Sequence, residues 1–141
     1  MKSKNDTTET PMPIDPAIVE KMQALAGWLH EKQARGLKAL DVGGLCDIAE
    51  GVVIATAGSV RHAQALADHV LAMAGKVKSG YLGMEGYKAG TWVLMDMNDV
   101  LVHIFQETAR GFYNIEGLWA EAREVPLDLP VDDAGGDDYD D

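Results

Sequence analysis

Two strand-like runs around Asn98-Asp99 restrict the folds open to this chain more than any other feature. From Thr91 to Phe105 the sequence reads TWVLMDMNDVLVHIF, and a two-residue turn at Asn98-Asp99 closes it as a hairpin. The pairing then follows residue by residue. Met97 faces Val100, Met95 faces Val102 and Val93 faces Ile104, an aliphatic face that belongs against a core. The opposite face pairs Trp92 with Phe105, Leu94 with His103 and Asp96 with Leu101. An indole, a carboxylate and an imidazole among apolar neighbours describe a partly exposed contact surface better than a sealed interior.

The rest of the body supplies the elements that complete a sheet. Asp15 suits an N-cap and Pro16 the first position of a helix with the stripe Ile18, Met22, Leu25 and Leu29. The spacing carries that helix to Ala34, with Gly36 as its stop. Leu37 to Val42 reads as a strand ended by Gly43-Gly44. Val52 to Ala57 is apolar without alternation, as in a strand buried on both faces. Ser59 caps the next helix, which turns Val60, Ala63, Ala67, Val70, Leu71 and Ala74 inward and meets Gly75 as its stop. A strand near Tyr81 to Gly83 then makes a βαβ unit, and GMEGYKAG at 83–90 reads as a loop. After Phe105, Glu107 to Phe112 and Tyr113 to Ala122 each predict a short helix, the second packing through Leu118 and Trp119. The expected fold is α/β: a single domain over 16–125, with a mixed sheet of about five strands and flanking helices.

The charge balance removes several function classes. The 141 residues hold 23 Asp and Glu against 12 Lys and Arg, a net of −11. Seven of the aspartates fall in 126–141, so the body 16–125 carries only −3. Proteins that grip DNA or RNA backbones carry the opposite sign. The ends, 1–15 and 126–141, are too polar to bury a core and are expected to be disordered tails. A single cysteine, Cys46, excludes an intrachain disulfide and a Cys-rich zinc site. No apolar run has signal-peptide or membrane-spanning length, which predicts a cytoplasmic protein.

A search for reactive constellations yields little. His30, His62, His69 and His103 are scattered; His62 and His69 stand seven apart, whereas helical metal pairs stand three or four apart. Gly58-Ser59 follows a strand and opens a helix, where an anion could bind; the same residues also make an ordinary N-cap. Asp41, Asp96 and Asp99 suggest divalent-metal ligands, but a turn favours Asp at position 99 on conformational grounds alone. No catalytic residue, metal or cofactor is expected. A nucleotide-handling domain using the Gly58-Ser59 helix start and Asp96 remains the alternative.

Taken together, the segments Ala39-Leu40-Asp41-Val42, VVIATAGSVRHAQALADHV at 52–70, GMEG at 83–86 and TWVLMDMNDVLVHIFQETARGFYNIEGLW at 91–119 resemble the ribosomal silencing factor family, the Iojap-like proteins. The likeness covers about residues 20–120. It departs at Ala49-Glu50, where the family usually has Thr-Asp, and at Ala57-Gly58-Ser59-Val60, where hydroxyls are replaced. The resemblance implies a sheet fold related to nucleotidyltransferases. The acidic pair of those enzymes is missing, because Val60, Arg61, His62 and Ala63 follow Gly58-Ser59. It also implies a translational repressor that binds the large ribosomal subunit through its protein fourteen and obstructs joining of the small subunit when nutrients are scarce. Trp92 would then be the anchor, with Glu85 and Asp96 facing basic side chains of the partner. Tyr81, His103 and Phe105 are the expected neighbouring contacts. An acidic domain with an aromatic patch suits a basic ribosomal protein; a homodimer through the same patch stays open.

Overall fold

The computed structural model describes residues 14–78 and 80–129. In chain order the elements are α1 (Pro16–Glu31), β1 (Arg35–Asp41), β2 (Gly51–Ala57), α2 (Val60–Val77), β3 (Gly83–Glu85), β4 (Trp92–Asp96), β5 (Val100–Gln106), α3 (Glu107–Tyr113), α4 (Ile115–Leu118) and β6 (Arg123–Glu124). The sheet runs β3-β4-β5-β2-β1-β6. Only β2 and β5 lie parallel; the other neighbours are antiparallel. The α/β class and the mixed sheet are as expected. Among the described residues the sheet has six strands because β6 adds two residues, too short a run to leave a pattern.

Local chemistry explains most boundaries. The Asp15 carboxylate accepts from the Ala17 N–H at 2.9 Å and Pro16 starts α1. That helix stops at Glu31, earlier than Ala34, because Gln33 turns left-handed at φ 70°; Gly36 falls inside β1. Ser59 caps α2 by accepting from the His62 N–H at 3.0 Å. Gly75 does not end α2. The helix runs to Val77 and Lys78 takes the left-handed cap, since an isolated helical glycine weakens a helix without breaking it. The strand expected at Tyr81 to Gly83 starts at Gly83 and consumes the first part of the expected loop. β3 lies parallel to β2 but with β4 and β5 between them.

The core has two sides. α1 and α2 cover one face of the sheet through Met22, Leu25, Leu29, Leu66, Ala67 and Val70, against Val53, Ala55, Val93, Met95, Val102 and Ile104. The second face holds Leu40, Val52, Ile54, Leu101 and Phe105, covered by Ala109 and Ile115 of α3 and α4. Ile115 is buried where Leu118 had been expected to pack; Leu118 is 72 % exposed. Trp119 does pack against this cluster.

The described residues include the inner ends of both expected tails. Ile14 packs on the α1–α2 side. Beyond Val125, Pro126 accepts from Gln23 Nε2 at 3.0 Å and Leu127 joins the same cluster. The remainder of both expected tails, 1–13 and 130–141, lies outside the described residues.

Candidate partner-binding site

The hairpin register matches the sequence expectation at every pair from Trp92 with Phe105 to Asp96 with Leu101. The Met97 N–H donates to Val100 at 2.9 Å and Asn98 takes φ 79°, while the Asp96 carboxylate accepts from the Asn98 N–H at 2.9 Å. The aliphatic side of the hairpin is fully buried. The other side lies on the second face of the sheet, and there the cross-strand pairs line up as rows.

One row is Lys38, Ile54, His103, Leu94 and Glu85; the next is Leu40, Val52, Leu101, Asp96 and Gly83. Along each row cover thins from the middle of the sheet to the β3 edge. Ile54 is 0 % and His103 3 % exposed, Leu94 is half-buried and Glu85 exposed. Val52 and Leu101 are buried, Asp96 and Gly83 half-buried. The reason is that α3 and α4 fold back mainly over β1, β2 and β5, reaching β4 at Trp92 through Tyr113. What they leave partly open is a strip of β4 and β3 carrying Trp92, Leu94, Asp96 and Glu85, of which Trp92 is half-covered by Tyr113.

Trp92 is half-buried and contacts three aromatic or heteroaromatic groups, Phe105, Tyr113 and His103. Its indole stacks on Phe105 at a centroid distance of 5.0 Å, meets Tyr113 at 4.7 Å, and donates from Nε1 to His103 Nδ1 at 3.0 Å. Phe112, 81 % exposed, stands edge-on to Tyr113 at 5.0 Å. The loop before β4 is pinned from behind. Gly86 takes φ +83° where a side chain would overlap the Trp92 carbonyl oxygen, Gln64 Nε2 donates to the Tyr87 carbonyl at 3.0 Å, and the Tyr87 hydroxyl donates to Asp68 at 3.0 Å.

Trp92, Asp96 and Glu85 therefore share one surface, and Tyr81, 39 % exposed, lies two residues before β3 at its end. Phe105 and His103 do not lie on that surface. The hairpin face was expected to expose them, but Phe105 is buried in the cluster that α3 and α4 cover, and His103 is 3 % exposed among the rings of Trp92, Phe105 and Trp119. Burial also lowers the His103 pKa from 6.5 to about 4. Sequence alternation missed Tyr113, which only the return of α3 brings beside Trp92, and Phe112, which stands against Tyr113.

The features weighed as chemistry are otherwise engaged. The Gly58 N–H donates to His62 Nδ1 at 2.9 Å and the His62 N–H to Ser59, so the start of α2 is capped by its own side chains. Asp99 pairs with Lys21 at 2.6 Å. Asp41 accepts from the Gly43 N–H and pairs with Arg123. Among the described residues no three acidic, histidine or cysteine side chains converge as a metal site, and no helix is long and apolar enough to cross a membrane.

Comparison with known proteins identifies this architecture. The family model described as "Ribosomal silencing factor during starvation" matches residues 15–140. The chain belongs to the ribosomal silencing factor family. Its relatives include the ribosomal silencing factor RsfS of Zymomonas mobilis, 34% identical over 91% of this chain and 90% of that protein. That of Bacillus subtilis is 35% identical over 77% of this chain and 92% of its own length. A crystal structure from Bacillus halodurans superposes with a TM-score of 0.68 at 30% identity, covering 77% of this chain and 98% of that one. Ribosomal silencing factors are translation regulators, not enzymes.

Proposed function

We propose that this silencing factor binds the large ribosomal subunit through a basic ribosomal protein, the subunit's protein fourteen, and thereby keeps the small subunit from joining. The observation that carries the reading is the partly open β4–β3 strip. A half-buried Trp92 stands at one end of its β4 row, followed on the same face by Leu94, which pairs with the exposed Glu85, and then by the half-buried Asp96. A large aromatic group with charge of one sign further along the same strip is how an interface combines an apolar anchor with steering toward a partner of opposite sign. Tyr81, Tyr113 and Phe112 extend the apolar strip at its two ends. His103 and Phe105 act from beneath, supporting Trp92.

Such a surface needs no cofactor and no catalytic group: obstruction follows from occupying the joining face. The site of action is the cytoplasm, where subunits join. The strip is also the surface through which a second copy would pair, in competition with the ribosome. The nucleotidyltransferase-like description of the scaffold belongs to the same proposal, as a statement about shape and not about chemistry.

Sedimentation with separated subunits tests the reading. Co-migration with the large subunit, and inhibition of subunit joining in light scattering, are the expected results. Co-migration with the small subunit alone would overturn it.

A further inference from the structure

The geometry points to His103 as the positioning residue of the Trp92 anchor, a buried acceptor that holds the indole in one orientation on the partly open strip. The inference rests on the reading of Trp92 as the anchor.

An indole N–H can only donate. With Trp92 Nε1 3.0 Å from His103 Nδ1, Nδ1 must be the acceptor and the imidazole proton must sit on Nε2. That Nε2 is buried with no hydrogen-bond partner among the described residues. Leaving a buried donor without an acceptor disfavours the folded state. A leucine in the same place, between Ile54 and Leu94 in its row, would avoid that cost. Core packing thus gives no reason for an imidazole here, while the bond to Trp92 does.

The surroundings complete the restraint. His103 and Phe105 lie nearly parallel, 7° apart at 5.9 Å, so the two rings form one floor. The indole rests on Phe105 at 30° and is fixed at its nitrogen by His103, two residues away and diagonal across the pair of strands. Tyr113 closes the other side at 4.7 Å. Burial keeps the imidazole neutral, so Nδ1 stays an acceptor at physiological pH. An anchor already in its bound rotamer loses less side-chain freedom on docking and binds more tightly for the same contacts.

The test separates the imidazole from the partner. His103→Leu removes the acceptor; His103→Asn places Oδ1 where Nδ1 stood. In the free protein, exchange of the Trp92 indole N–H is followed by NMR, with Trp28 and Trp119 as internal references. His103→Leu is expected to speed that exchange by about tenfold or more and to weaken large-subunit binding by about five- to tenfold. Its melting temperature is expected to stay close to wild type, and His103→Asn to restore both readouts. Should His103→Leu not fold, His103→Asn and His103→Gln give the same comparison, since the Gln acceptor lies one carbon further out: Asn should protect the indole and Gln should not. Unchanged exchange in the variants lacking the acceptor overturns the inference. So does faster exchange with unchanged affinity when Trp92→Ala does weaken binding. If Trp92→Ala leaves affinity intact, the partner-face reading itself fails and the positioning role falls with it, whatever the exchange shows.

Discussion

Arg110→Ala should destabilise the fold by about 2–3 kcal/mol, and the structure shows why. The guanidinium donates from Nε and Nη2 to the two Glu116 oxygens at 3.0 and 3.2 Å, and from Nη1 to the Gly36 carbonyl at 2.6 Å and Thr56 Oγ1 at 2.7 Å. It ties α3 and α4 to the start of β1 and the end of β2. Removing one partner of a buried ion pair costs about 3–5 kcal/mol when the other charge is stranded. Glu116 is not stranded: its side chain is 29 % exposed and Lys38 lies 3.1 Å away, which places the expected loss below that range. For a domain near 100 residues the loss lowers Tm by about 10 °C or more. Arg110→Lys should recover less than half of it, because one ammonium cannot span carboxylate, carbonyl and hydroxyl at once. Arg110, with Lys38, also holds the Glu116 carboxyl below its ordinary range. The pair therefore contributes stability above that range and loses it as pH falls through the folded-state value; in Arg110→Ala this acid loss should shrink. Urea melts at several pH values measure both effects. A loss under about 1 kcal/mol at neutral pH would refute the view that this cluster fixes α3 and α4 over the second face.

Three further perturbations have defined outcomes. His103 titrates near 4 when folded and near 6.5 when unfolded; the unfolded chain takes up the proton first as pH falls, so stability should drop by about 3 kcal/mol between pH 6.5 and 4. In His103→Leu that slope should vanish in chemical denaturation across the same window. Asp96→Asn should keep the turn, since an amide oxygen can still accept from the Asn98 N–H, yet slow association with the large subunit at low salt and not at high salt; stopped-flow light scattering reads the rate. Ending the chain after Val125 instead of after Leu129 should cost about 1–2 kcal/mol in a thermal melt, because Leu127 loses its packing and Gln23 its bond to Pro126.

Legibility in the sequence followed the range of the forces involved. The hairpin was readable pair by pair because alternation and the Asn98-Asp99 turn are local, as are the Asp15 and Ser59 caps. Helix ends were less readable: Gly75 sits in a helix whose packing on the sheet outweighs one unfavourable residue. The burial of His103 and Phe105 was not readable at all. Alternation says which face a residue is on, but the cover over that face comes from α3, α4 and Trp119, placed by Arg110 through bonds 54 and 74 residues apart in sequence. The same return of chain brings Tyr113 to Trp92, with Phe112 against Tyr113. In the short α4, helical phase could not choose between Ile115 and Leu118, and the structure buries Ile115. Trp92, Asp96 and Glu85 were placed on a common surface by β4 alternation and by β3, whose pairing with β4 lay in a segment that reads as loop.

The central claim, that Trp92 on the β4–β3 strip is the group through which this silencing factor holds the large subunit, is tested most directly on Trp92→Ala, with stability and binding measured on the same protein. Because the indole is half-buried, its loss should cost less than the roughly 3–5 kcal/mol of a fully buried aromatic, and the variant should stay folded. As an interface anchor it should cost about 2 kcal/mol or more of binding, a weakening of about thirtyfold in inhibition of subunit joining. A folded Trp92→Ala protein that still blocks joining at the wild-type concentration would contradict the account.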